Sequence, residues 1–255
     1  MSKIPSGQII WHELHTSDPK RAFAFYSELF GWKTREMDMG PAGKYTLFSV
    51  SDKDVAGGMQ LDARSGAPSN WLPYFETPNV DADIAKAEKL GAKVVVPGMD
   101  IPNIGRFAVI ADPQGAVVAV MTSADQSWKA PDVKPGYFCW DEVMAKDAKK
   151  EVDFYTQIFD WKCDPMDMGP MGTYYVFKLG EKSAAGCMAP QDPNQPSAWM
   201  CHVAVENVDT STERAERLGA TVVVPPSDIP NIGRFSVFSD PTGAVLCLFQ
   251  SAPQA

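Results

Sequence analysis

The chain has 255 residues, 45% of them hydrophobic and 22% charged, which excludes a disordered chain and allows one large domain or two ordinary ones. A formal net charge of -9, without a cluster of Lys and Arg, excludes a nucleic-acid backbone as partner, because phosphate contacts need such clusters. All five cysteines (Cys139, Cys163, Cys187, Cys201 and Cys247) fall in the second half without a C-x-x-C pair, so buried thiols are expected rather than disulfides or zinc.

Met1 to Gly7 carries no apolar leader, and no apolar run approaches the roughly 20 residues that span a bilayer, so a cytoplasmic protein without membrane contact is expected. Gln8 to His15 alternates large side chains and reads as a strand. Asp18 and Pro19 then start a helix whose stripe is Ala22, Phe25, Tyr26, Leu29 and Phe30, stopped by Gly31. Short strands are expected at 45–50 and 55–60, with an earlier one at 32–36. The pattern restarts with a strand at 71–77, a helix over 80–90 ended by Gly91, and strands at 93–96, 106–111 and 116–121.

This whole series occurs twice. Residues 7–121 match residues 136–249, first at an offset of 129 and, after one deleted residue, at 128. GQIIWHELHTSDPKRAFAFYSELFGW aligns with GYFCWDEVMAKDAKKEVDFYTQIFDW, MDMGP at 37–41 recurs at 166–170, and IPNIGRF recurs intact at 101 and 229. The tryptophans pair as Trp11 with Trp140, Trp32 with Trp161, and Trp71 with Trp199. These matches divide the chain into a domain at 1–122, a linker at 123–135 rich in Pro, Ser, Asp and Lys, and a domain at 136–255.

Each repeat is itself two βαβββ modules. The phrases FYSELFGW, the helix ending in LGA, and DPQGAVVAV or DPTGAVLCL resemble the vicinal oxygen chelate proteins (glyoxalase, bleomycin resistance protein, extradiol dioxygenase) over nearly all of both halves. The resemblance implies an α+β fold of two tandem domains, each a curved mixed sheet with a U-shaped cleft. It leaves the chemistry open, because fold does not fix function.

In its glyoxalase-like members the resemblance implies a metal held by His, Glu or Gln on the first strand of each module and by Glu near the end of each module's last strands. Counting from the helix starts, those positions fall on Trp11, Leu72 and Ala119 in the first half and on Trp140, Met200 and Cys247 in the second. The ligand set is gone by this count, so no catalytic metal and no cofactor is expected. His12 and His15, three apart on a strand, point to opposite faces. A single site at His202 with Glu142 remains the arithmetic alternative.

If Trp11 faces the cleft, so do Glu13 and His15, and Trp140, Glu142 and Met144 in the second half. A carboxylate among apolar groups suits a general base or a ligand anchor, which makes Glu13 and Glu142 the candidate catalytic residues. The other reading is a carboxylate bonded to a backbone N–H or an arginine. Candidate binding residues are Trp11, His15, Trp71, Tyr74, Arg106, Trp140, Trp199, His202 and Arg234. For each a packing or turn role stands as the alternative: Trp71 and Trp199 as core, Tyr74 as a satisfied sheet tyrosine, and IPNIGRF with its arginines as a plain turn.

The functional expectation is a small organic molecule bound or transformed in an apolar cleft without a metal, in a pseudo-dimeric monomer or weak homodimer. One alternative is a metal-dependent lyase or isomerase of the glyoxalase I type acting on methylglyoxal adducts. Another is a non-catalytic interaction protein with filled clefts. Whether the chain is an enzyme stays open between them.

Overall fold

The computed structural model describes residues 4–40 and 43–252. Pro41 of the first MDMGP segment and the outer ends of the expected domains lie outside the described residues. The first repeat forms β1 (Ile9–Thr16), α1 (Pro19–Phe30), β2 (Lys33–Asp38), β3 (Lys44–Val50) and β4 (Lys53–Gln60), and then β5 (Asn70–Glu76), α2 (Val80–Lys89), β6 (Lys93–Ile101), β7 (Gly105–Ala111) and β8 (Val117–Ser123). The second forms β9 (Phe138–Met144), α3 (Ala148–Ile158), β10 (Lys162–Asp167), β11 (Thr173–Leu179) and β12 (Lys182–Met188), followed by β13 (Ala198–Ala204), α4 (Val208–Arg217), β14 (Thr221–Ile229), β15 (Gly233–Ser239) and β16 (Val245–Ser251).

Each repeat therefore yields one open, mixed eight-stranded sheet, in the order β2-β3-β4-β1-β5-β8-β7-β6 for the first and the matching order for the second. The parallel pairs β1 with β4 and β5 with β8 close each module across its helix. Among the described residues the four α-helices each start on a side-chain cap: Asp18, Asn79, Asp147 and Asn207 each accept the backbone N–H three residues on. Gly31 ends α1 in the left-handed region at φ 71°, as a C-terminal glycine should.

Most strand ends differ from the sequence reading by one or two residues, and one differs by more. β6 was expected to stop before Pro97 but continues to Ile101, and β14 likewise runs through Pro225 and Pro226. Both are edge strands, and both show register shifts beside the prolines. An edge strand has N–H positions without a ladder partner, so proline is tolerated there.

Packing groups the chain into two compact units. The first takes the chain up to Ile10, Leu72–Pro131 and Trp140–Met200; the second takes Trp11–Trp71, Asp132–Cys139 and the chain from Cys201 onward. In the first unit α2 packs with α3. Its core joins Phe75, Ile110 and Val120 to Tyr155, Phe159, Trp161, Phe177 and Trp199. In the second unit α1 packs with α4, and Leu14, Tyr26, Trp32, Phe48 and Trp71 join Phe238, Leu246 and Leu248. Each core thus draws on both repeats.

A buried polar ladder crosses each core. In the first unit Trp199 Nε1 donates to Tyr155 Oη at 2.8 Å, and Tyr155 donates to Asp112 Oδ2 at 2.8 Å. Asp112 Oδ1 accepts from Gln114 N and Ala116 N, which closes the DPQG turn. In the second unit Trp71 Nε1 donates to Tyr26 Oη at 2.9 Å, Tyr26 bonds Asp240, and Asp240 closes the DPTG turn. The Tyr of the FY pair and the Asp of the DPxG turn are thus partners, because a buried phenol needs an acceptor.

Candidate functional site

Strand register decides what shares a face with Glu13. Glu13 lies opposite Gly57 and His15 opposite Met59 on β4, and across β3 Gly57 meets Leu47 and Met59 meets Tyr45. Leu14, between Glu13 and His15, and Phe48, next to Leu47, point the other way into the core.

On this face Tyr45 lies across the backbone of β4. A Cβ added at Gly57 would fall 1.8 Å from Tyr45 Oη, so only glycine leaves room for the ring. From there the Tyr45 hydroxyl accepts from Trp11 Nε1 at 2.9 Å and is hydrogen-bonded to Glu13. Glu13 Oε1 also sits 2.5 Å from His15 Nε2. Burial, then the Glu13 charge, push the Tyr45 phenol well above its ordinary range, so it stays protonated and donates.

The second repeat builds the same arrangement within the first unit. Trp140 Nε1 donates to Tyr174 Oη at 2.8 Å, and Tyr174 donates to Glu142 Oε2 at 2.8 Å. A Cβ at Gly186 would come 1.9 Å from Tyr174 Oη. The same two causes raise the Tyr174 phenol far above its usual value. One member differs: Met144 stands where the first repeat has His15, and Glu142 is half-buried whereas Glu13 is 7% exposed.

Of the residues singled out from sequence, the structure brings together Trp11, Glu13 and His15 in one constellation and Trp140 and Glu142 in another. Tyr45, Tyr174, Gly57 and Gly186 were not singled out. Their signal was present, since KYTLF aligns with TYYVF and VAGGMQ with AAGCMA at the repeat offset.

Trp71 and Trp199 lie in the two cores, each with its indole N–H given to a buried tyrosine. Tyr74 is buried with its ring 6.1 Å from Phe107, and opposite Ala119 in register. His202 is buried on β13 opposite Cys247. Arg106 binds Asp81 through Nε and Nη2 and Asp100 through Nη1; Arg234 does the same with Asp209 and Asp228. IPNIGR itself is the hairpin turn between β6 and β7, with Asn103 in the left-handed region at φ 65°, and its copy puts Asn231 at φ 63°. A cavity of about 310 Å³ beside the second turn is lined by Asp228, Asn231, Arg234 and Gln250.

The positions counted from the helix starts carry side chains that do not suit a dication. Trp11 and Trp140 carry a hydrogen on their only nitrogen and give it to Tyr45 and Tyr174. Leu72 and Ala119 present buried hydrocarbon, and Met200 and Cys247 offer soft sulfur in place of a carboxylate or imidazole. What the constellations offer instead is a carboxylate fixed by a phenol beside an apolar indole.

Comparison with known proteins places this fold. The glyoxalase/bleomycin resistance protein/dioxygenase superfamily model matches residues 8–120, and a glyoxalase-like domain model matches residues 137–249. The chain is 31% identical over 256 residues to "Putative glyoxylase CFP32" of Mycobacterium tuberculosis, covering 99% of this chain and 98% of that protein. The chain belongs to the vicinal oxygen chelate superfamily. Another superfamily relative, anthracycline biosynthesis protein DnrV of Streptomyces peucetius, is 31% identical, covering 96% of this chain and 93% of its own length. Among vicinal oxygen chelate structures, the Mn(II)-bound glyoxalase from Novosphingobium aromaticivorans aligns over 96% of this chain and 82% of its own, with TM-score 0.67 and 17% identity. The 2,3-dioxygenase LapB from Pseudomonas sp. KL28 aligns over 100% and 95%, with TM-score 0.62 and 12% identity. At such identities these two neighbours speak for the fold alone.

Proposed function

We propose that each repeat binds a small, uncharged organic molecule against its Trp–Tyr–Glu face, and that any chemistry there is proton transfer centred on Glu13 and Glu142 without a metal. The observation that carries this reading is the duplicated phenol-to-carboxylate bond laid over a glycine and kept in both repeats, while the positions counted from the helix starts hold Trp, Leu, Ala, Met and Cys. A carboxylate beside a phenol suits a ligand hydroxyl or an acidic proton, and the neighbouring indole and methionines supply apolar contact. An anion is disfavoured beside the carboxylates of Glu13 and Glu142 by like-charge repulsion. Arg106 and Arg234 are held by two aspartates each, so they contribute to the hairpins rather than to this site.

The relatives' names fit a small-molecule role. One carries the name putative glyoxylase and another the name anthracycline biosynthesis protein. The test is metal content by inductively coupled plasma mass spectrometry after incubation with Ni, Zn, Fe(II), Mn or Co and desalting. The expected result is no retention that depends on Glu13 or Glu142. Near-stoichiometric metal lost in Glu13→Gln or Glu142→Gln would favour a metal-dependent lyase of the glyoxalase I type instead.

A further inference from the structure

The two copies of the site differ at one chemically decisive place. His15 Nε2 faces Glu13 Oε1 at 2.5 Å, and Nδ1 has no hydrogen-bond partner among the described residues. The imidazole is 24% exposed and the carboxylate behind it 9%, so a molecule arriving from solvent meets the ring before the carboxylate. In the second repeat the thioether of Met144 replaces the ring, and Glu142 is itself reachable. A thioether carries no proton at any ordinary pH.

We propose that the two sites have diverged: in the first repeat His15 is the base that meets substrate and Glu13 is its positioning residue, whereas the second repeat has no imidazole at that place. This inference rests on the reading of the Trp–Tyr–Glu face as a small-molecule site, and it changes which group touches the substrate. Glu13, already fixed by Tyr45, takes the Nε2 hydrogen and so leaves the lone pair on Nδ1. When Nδ1 accepts a proton, the adjacent carboxylate balances the imidazolium charge, as the acid member of a Ser-His-Asp triad does for its histidine.

The substrate class that fits is a neutral compound with a weakly acidic C–H next to a carbonyl. The C–H bond breaks, its electron pair moves into the carbonyl as an enolate, and the proton goes to Nδ1. Return of that proton to a neighbouring atom completes an isomerisation and restores the neutral ring, so neither oxidant nor co-reactant is needed.

The test uses the whole chain and diethyl pyrocarbonate, which acylates an imidazole nitrogen holding a free lone pair and releases ethanol and carbon dioxide. Peptide mapping separates His15 from His12 and His202, which are 7% and 5% exposed. The expected result is modification of His15 at least tenfold faster than of either, slowed at least threefold by Glu13→Gln. Met144→His should add a second fast-reacting site next to Glu142. Long-range nitrogen–proton spectra of the unmodified protein should show the hydrogen of His15 on Nε2. Reaction of His15 no faster than that of the buried histidines, a rate indifferent to Glu13→Gln, or the hydrogen on Nδ1 would each overturn the proposal. None of these readouts uses a bound ligand, so their failure is separable from failure of the binding reading.

Discussion

At Gly57 a single methyl group would collide with the Tyr45 hydroxyl, and Gly186 stands in the same relation to Tyr174. Gly57→Ala should therefore swing the ring away, break the Trp11 bond, and cost about 1–3 kcal/mol, the usual range for overpacking. Urea unfolding measures the loss, and a change in Trp11 fluorescence reports the broken bond. A neutral effect on both would mean that the ring is not seated on the strand. The phenols give a second prediction at this scale. Tyr26, Tyr45, Tyr155 and Tyr174 are all raised well above the ordinary range, with burial the largest cause in each. These four of the seven tyrosines should stay protonated until alkaline unfolding, as read by absorbance at 295 nm.

Helix α3 carries a departure from the repeat that has its own energetic signature. Glu151 is buried beside Asp112, whereas the matching position of α1 is Ala22. Burial first, and then the hydrogen bond and charge of Asp112, push the Glu151 carboxyl up to about 9; Gln114 donates to it, and Asp147 adds a smaller like charge. A carboxyl raised in the folded state keeps its proton there. Its contribution to stability is full below its ordinary pKa of about 4.5 and is lost as pH rises toward 9. Glu151→Gln should flatten that loss and add about 1–3 kcal/mol at pH 8 with little change at pH 4, measured by denaturant unfolding at both. An unchanged pH slope would count against the buried pair.

The same element shows what the sequence could and could not disclose. The α1 stripe, its Asp18 cap and Gly31 stop were legible because spacing and capping are local. So were Glu13 and Glu142, through strand alternation. Tyr45 and Tyr174 were not, because their meeting with the carboxylates depends on β3 leaning across a glycine of β4, a contact set by register rather than spacing. Nor could the sequence tell that Trp71 and Trp199 sit on the core side, where the partner that fixes each is a tyrosine more than forty residues away.

At the scale of the whole molecule, the cores cut across the repeats. Phe75 and Val120 of the first repeat pack with Tyr155 and Trp161 of the second, and Leu14 and Tyr26 pack in the other core with Phe238 and Leu248. A half-chain ending at residue 122 keeps its strands but leaves one face of each module bare. Expressed alone it should pair with a second copy of itself or fail to fold, as sedimentation will show; a stable monomer would contradict this account of the cores.

Metal-free binding is tested most directly by a ligand-detected nuclear magnetic resonance screen of neutral carbonyl and aromatic fragments against the intact chain treated with EDTA. The Glu13→Gln/Glu142→Gln double variant is screened in parallel. The expected result is a set of fragments that bind without added metal and lose their signal in the double variant. Fragments that bind equally well to the double variant, or that bind only when a divalent metal is restored, would contradict it.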